Sequence, residues 1–451
     1  MMNARDYHYF TSLEPFYDWE KQFIHVGCQA GDLNILDPNK KVTEAGLNDA
    51  SIFIHEYIHY LQNFSTTWGC TIFADFTYAL IKIGASSASN KQVLSLPIDE
   101  TNLNNPLLVQ GLQLRREVVK KVNLYNEFEI EDGHQIEYKL INNNRGYLTL
   151  TNGKITMPLS GKVIREHMAH LGAQTFLGKN DAEIHEYNRT FNVFSPNNNE
   201  FSSRAEYWII YEYYYGFQIF TNLSRGIFSL MQKCLATNIP ENYLKHFNDW
   251  VLAIRSKINE IDFNILVEKW ASKSINKDIF SKDLHESKEH CKGILEKARA
   301  KMHENHLLEF AYNILSYILE NIESTAGGLR LYNPTDDFSS MQYWNRKVDQ
   351  YGSGIVKYSD ATMIHGNANH CAKMEESFLF LISSSFVINK IIKNQKSYCP
   401  FLEEIPICVA EYKGEDGCYQ NPFKMIKEFS HGKECVFANG VLLLGLQNRI
   451  N

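Results

Sequence analysis

The sequence predicts a mainly helical α+β fold with a small sheet, a β-meander inserted between helices and a helical C-terminal extension. Three observations lead there. Stretches such as ASIFIHEYIHYLQNF and VIREHMAHLGAQTF repeat apolar residues at spacings of three and four, the period of a helix buried along one face. Residues 126–158 instead alternate apolar and polar side chains (FEIED, IEYKLI, YLTLT, KITMPL), with turn signals at Asp132 and Gly133, at 142–146, and at Asn152 and Gly153. Near the N-terminus, FIHVG and LNIL, separated by Gly31 and Asp32, have the look of short strands joined by turns.

Taken in chain order, Asn48 and Asp49 are expected to cap a helix whose inner face carries Ile54, Ile58 and Leu61. A second helix, TIFADFTYALIKIGA, is expected to stop at the Ser/Asn-rich ASSASNKQ. Beyond the meander, Ser160 and Gly161 introduce VIREHMAHLGAQTF; SPNNNEF marks a loop, and AEYWIIYEYYYGFQIF reads as an aromatic-rich helix. The helical pattern continues to about Leu331, and residues 332–451 mix helix with short Cys- and Pro-containing segments without repeat or coiled coil. Because 451 residues exceed one ordinary hydrophobic core, the chain divides into 1–90 (small sheet and histidine-bearing helix), 91–160 (β-rich insertion), 161–331 (helical) and 332–451 (an extension of unassigned role).

A 44% hydrophobic and 22% charged composition is that of a folded globular chain. A net charge of -7, with no dense Lys/Arg block, argues against a nucleic-acid partner. Nine cysteines, odd in number and without a CxxC pair, fit buried free thiols and exclude a thiolate zinc ribbon or a thioredoxin-like site. The opening MMNARDYHYF has no signal-peptide pattern and no apolar run reaches the roughly 18 residues of a membrane span, so a cytoplasmic protein without a membrane partner is expected. No Walker loop, dinucleotide glycine pattern or G-x-S-x-G elbow is present, and YGSGIVK lacks phosphate-loop spacing.

One pattern carries chemistry. His55 and His59 stand four residues apart, so a helix places both imidazoles on one face, one turn apart, where they can share a metal ion. Glu56 beside them can take a proton from water activated by that metal and pass it to a leaving group. The competing reading is two surface histidines on an ordinary amphipathic helix, which the uninterrupted apolar opposite face disfavours.

The residues His55, Glu56, Tyr57, Ile58 and His59 resemble the active helix of the zincin metallopeptidases. The resemblance covers one helix. It implies a zincin-like core, Zn2+ held by His55 and His59, Glu56 as general base, a sheet edge that aligns a protein or peptide substrate, and a third ligand from later in the chain. The following YLQNFSTTWG lacks the metzincin Gly and third His, leaving the gluzincin-like arrangement in which a later Glu completes the site. Glu166 is the first choice, with the small Ala169 three residues on and Met168 and Leu171 marking a buried face; His170, one turn further, would stabilise an oxyanion or orient a ligand. Glu323 in ENIESTAGGLR offers the same spacing, while Glu206 and Glu212 lie in the aromatic stretch, where Tyr207 or Tyr211 is a possible donor to a tetrahedral intermediate.

Two H-x-x-x-x-H-C segments, 285–291 and 365–371, suggest a second metal site. The expected reaction is amide-bond hydrolysis of narrow specificity, or under control of an activating or regulatory protein. A zincin-fold binding protein without catalysis and a small-molecule amidohydrolase are the alternatives.

Overall fold

The computed structural model describes residues 16–18, 23–27, 47–89, 105–122, 139–142, 148–151, 156–158, 160–193, 207–257, 259–300, 306–333, 336–353, 355–357 and 363–365, with single positions 377, 384, 387, 388, 441 and 444. Two short strands, β1 (Phe16–Asp18) and β2 (Phe23–His25), precede α1 (Leu47–Ser65) and α2 (Thr67–Ser89). Next come α3 (Pro106–Val122), the strands β3 (Lys139–Asn142), β4 (Leu148–Thr151) and β5 (Thr156–Pro158), and α4 (Gly161–Phe176). Then follow α5 (Asp181–Val193), α6 (Ile209–Tyr215), β6 (Phe220–Thr221), α7 (Leu223–Leu235), α8 (Pro240–Ile254), β7 (Ile261–Asp262) and α9 (Phe263–Ala271). The long α10 (Ser274–Arg299), α11 (His306–Ser324) and α12 (Met341–Tyr351) lead into β8 (Ile355–Lys357) and β9 (Met363–His365). The class is therefore mainly helical α+β, and among the described residues no helix is long and apolar enough to cross a membrane.

The expected histidine-bearing helix is α1, free of Gly and Pro throughout. It starts at Leu47, so Asn48 and Asp49 do not cap it; Asp49 instead lies in the first turn, where the partial positive charge of the helix end favours a carboxylate. Ile54, Ile58 and Leu61 are fully buried as the period demands. So are Phe53, Tyr57, Tyr60 and Phe64, whose rings follow one another at centroid separations of 5.6, 5.9 and 4.6 Å. Each such burial stabilises the fold by about 1.5–3 kcal/mol, so α1 is held on nearly all sides and presents only a narrow polar window.

The second helix runs past its expected stop. Residues 85–89 of the Ser-rich segment are helical, because buried Ser86 donates to the Ile83 carbonyl (2.6 Å) and its own carbonyl accepts from Asn105 Nδ2 (2.9 Å). The 91–160 region, expected to be β-rich, contains α3, which packs along α2 with Leu108, Leu112, Val118 and Val122 buried. The meander itself is present as the antiparallel order β3-β4-β5, with Leu140 opposite Leu150 and Leu150 opposite Met157. Among the described residues of the aromatic stretch, Ile209 to Tyr215 are α-helical, after which Phe220 and Thr221 form a two-residue strand parallel to β7. LNIL, SPNNNEF, and Asp132 with Gly133 lie outside the described residues.

The four-stranded sheet has the order β1-β2-β8-β9, in which β2 and β8 run parallel with buried Ile24 opposite buried Val356. The small sheet expected from residues 1–90 is thus completed by two strands from beyond residue 332.

The corner between α1 and α2 is tight. A Cβ on Gly69 would lie 2.1 Å from the Gln62 carbonyl oxygen and 2.6 Å from Asn63 Cα, backbone atoms that cannot swing aside. Gly69→Ala is expected to destabilise the protein by about 1–3 kcal/mol, read as a lowered urea midpoint at unchanged slope; an unchanged midpoint would contradict the tight corner.

Candidate metal centre

On α1, His55, His59 and Gln62 stand at i, i+4 and i+7 and so form one polar stripe along the helix. Helix α4 lies against that stripe. Its start is set by Ser160, whose hydroxyl accepts from Val163 N, and its approach to α1 is close because Gly172 leaves room for Ile58, whose Cδ1 would sit 2.3 Å from an added Cβ. The smallness that permits contact therefore resides at Gly172 as well as at the buried Ala169.

This packing brings Glu166 to the two histidines. Glu166 Oε2 is 3.0 Å from His59 Nε2 and 3.5 Å from His55 Nε2, and one ligand atom from each of the three residues lies within 4.8 Å of the others. Four donors arranged tetrahedrally at zinc distances are separated by about 3.3 Å, so the edges of 3.0 and 3.5 Å fit such an ion. The side chains of His55 and Glu166 are 15% and 19% exposed while His59 is 5% exposed, so one side of the cluster faces solvent and the other the core.

The hydrogen bonds behind His59 determine which of its nitrogens faces the cluster with a lone pair. Gln62 Nε2 donates to the Arg165 carbonyl (3.1 Å) and Gln62 Oε1 accepts from Arg165 Nε (3.3 Å), which orients the amide. The atom 2.9 Å from His59 Nδ1 is Gln62 Oε1, an acceptor, so Nδ1 carries the hydrogen and donates it. In the neutral imidazole, Nε2 then points its lone pair at the Glu166 carboxylate. Two electron-rich atoms 3.0 Å apart need a cation between them, either a proton or a metal ion. Burial raises the Glu166 carboxyl's pKa, but the charges and hydrogen bonds of His59 and His55 outweigh that and hold it well below the usual carboxylate range, in the ionised form a metal needs. Arg165 is buried with its guanidinium 5.3 Å above the Trp68 ring, which anchors the network from behind.

An aromatic wall flanks the cluster. The Tyr207 ring meets His55 edge-on at 5.5 Å and stacks on His170 at 5.6 Å, and His170 lies 6.1 Å from Tyr187. Burial, with the nearby His55 and His167 charges, lowers the pKa of His170 to about 3, so it is a neutral imidazole at physiological pH. Its Nε2 is shut from solvent without a hydrogen-bond partner among the described residues. Glu56 is partly exposed on α1, adjacent to His55 and three residues before His59.

The other candidates are engaged elsewhere. Glu323 pairs with Lys288 at 2.6 Å, and the glycines after it end α11: Ala326, Gly327 and Gly328 all have positive φ, and Gly327 N donates back to the Ile322 carbonyl. Glu212 is buried, bonded to His185 Nδ1 (2.8 Å) and Asn188 Nδ2 (3.0 Å). The hydroxyl of fully buried Tyr211 donates to the Asp181 carbonyl (2.8 Å), which removes it as an oxyanion donor. Glu206 and Cys371 lie outside the described residues. In the 285–291 segment, His285 is exposed, exposed His290 pairs with Asp75, and Cys291 is buried with its thiol toward the Leu315 carbonyl, so these three do not converge. Cys70, Cys234 and Cys291 are buried free thiols, as expected.

Sequence reasoning overlooked Gln62 and Arg165. The available signal was Gln62 itself, a polar residue one heptad after His55 and so on the same face of the helix. The chain matches no family model, no curated protein and no solved structure, and the chemistry of the His55, His59 and Glu166 cluster stands as the ground for assigning a function.

Proposed function

We infer that the protein is a zinc-dependent metallopeptidase with a gluzincin-like site in a zincin-like core, in which His55, His59 and Glu166 hold the metal and Glu56 is the general base. The observation that carries this reading is the convergence of three lone-pair donors with edges of 3.0 and 3.5 Å on a helix that also bears Glu56 next to the first ligand. Bound zinc supplies a Lewis acid that polarises the scissile carbonyl and makes water more acidic. Glu56 removes a proton from the attacking water and delivers it to the amine that leaves. Gln62 keeps His59 in the tautomer whose Nε2 lone pair faces the ligand set. Tyr207 and neutral His170 form the adjoining wall against which the polarised carbonyl would lie.

The expected cytoplasmic placement accompanies this reading, as does narrow specificity or activation by a partner protein. Digestion of a complex peptide mixture by the zinc-reconstituted protein, read by mass spectrometry, tests it. Discrete cleavages that stop on chelation and return with zinc are expected. A protein that holds one zinc per chain and cleaves nothing in the mixture would instead favour the binding-protein alternative, and failure to hold zinc would remove the metallohydrolase reading altogether.

A further inference from the structure

Helix α4 ends in a way that plants a cation beside the aromatic wall. Gly178 has φ +73°, its N–H donates to the Thr175 carbonyl (3.0 Å), and Lys179 N–H reaches back to the Gln174 carbonyl (3.3 Å), the paired bonds of a Schellman motif. The motif folds Lys179 against the last turn. Its ammonium donates to Gln174 Oε1 (2.7 Å) and sits 3.7 Å above the centre of the Tyr187 ring. Tyr187 in turn neighbours His170, which neighbours Tyr207, which meets His55, so one continuous row of rings runs from the cluster to this ammonium.

Lys179 is partly buried and has no ion pair among the described residues. Glu183, the carboxylate whose charge it feels, accepts from Asn180 N at 2.8 Å instead. A desolvated cation held by one neutral amide and one ring face retains donor capacity for an anion. Gln174 is two turns beyond Glu166, about 12 Å along the helix at 1.5 Å per residue, a span that an extended peptide covers in roughly four residues.

We propose that Lys179 recognises a carboxylate of the substrate, so that the peptides this protein acts on carry an acidic residue or their C-terminal carboxylate roughly four residues from the scissile bond. The inference rests on the peptidase reading. It assigns Lys179 to specificity and leaves the chemistry to the cluster, with Gly178 as the residue that places it.

The full-length Glu56→Gln protein, loaded with zinc, is titrated with labelled dodecapeptide pools in which Glu is scanned through each position, and with matched pools carrying Gln. Tighter binding of a Glu pool by about tenfold is expected. The bias should disappear in the Glu56→Gln/Lys179→Met double variant, persist with Lys179→Arg and weaken as salt is raised, the last readout needing no second variant to fold. Equal affinity for the Glu and Gln pools, or a bias unchanged by Lys179→Met, overturns the inference. Cleavage of the same pools by the wild type separates the two ideas. Cleavage with no Glu preference removes the role of Lys179 and leaves the peptidase reading intact. A Lys179-dependent preference without any cleavage keeps the anion contact and removes the peptidase.

Discussion

Glu56→Gln is expected to retain a full complement of zinc while its hydrolysis falls by about 10²–10⁴-fold, the usual contribution of a positioned general base. Glu56 is absent from the His55, His59 and Glu166 cluster, so changing it leaves all three ligand atoms in place. The carboxamide is nearly the same size and cannot take a proton from water. His55→Ala and Glu166→Ala are expected to behave in the opposite way, losing the metal along with the activity, because each removes one of the three donors that cluster among the described residues. Elemental analysis of the three variants beside the wild type, with peptide cleavage measured on the same samples, distinguishes these outcomes. Zinc retained in Glu166→Ala would withdraw Glu166 as a ligand, and full activity in Glu56→Gln would withdraw the proposed base.

Gln62→Leu is expected to damage both the metal centre and the fold without touching a ligand. The substitution removes the acceptor of the His59 Nδ1 hydrogen (2.9 Å) and the partner of Arg165 Nε (3.3 Å), and it leaves the Arg165 carbonyl without its Nε2 donor. Zinc affinity should drop 10–100-fold, as when other outer partners of a ligating histidine are removed. Stability should fall by about 1–3 kcal/mol from the buried hydrogen bonds lost. Competition with a chromophoric chelator reads the first effect and urea unfolding of the metal-free protein the second. Unchanged affinity in a protein destabilised to the expected extent would reduce Gln62 to a packing role.

The parts of the fold that were legible in the sequence are those whose cause is local. Helix α1 could be recognised because Ile54, Ile58 and Leu61 repeat without a breaker, and the meander because Asn152 and Gly153 interrupt alternating runs. Helix α3 is obscured in the sequence by RREVVKK, a charged segment that interrupts the apolar period beside a region whose alternation reads as strands. The Ser-rich end of α2 resembled a loop, since a sequence does not disclose that Ser86 will be buried and doubly bonded. At the site, the pairing of His55 with His59 followed from helical spacing alone. Choosing between Glu166 and Glu323 did not, because both precede an Ala by three residues; what separates them is that the glycines after Glu323 adopt positive φ and stop the helix. Gln62 and Arg165 escaped notice because their importance lies in whom they meet across 103 residues of chain.

The parallel pairing of β2 with β8 also bears on the order in which the molecule is made. Everything that forms the cluster has been synthesised once Glu166 leaves the ribosome, whereas Phe23 waits for Ile355 before its strand gains this neighbour. At 5–20 residues per second, the roughly 190 residues between these events take on the order of 10–40 s. Long-range parallel pairing is also slow to close because its loop entropy is lost before contacts repay it. During that interval His55, His59 and Glu166 are all present in the nascent chain while β2 has yet to meet β8, so synthesis of the three clustered residues and completion of the sheet are separate in time.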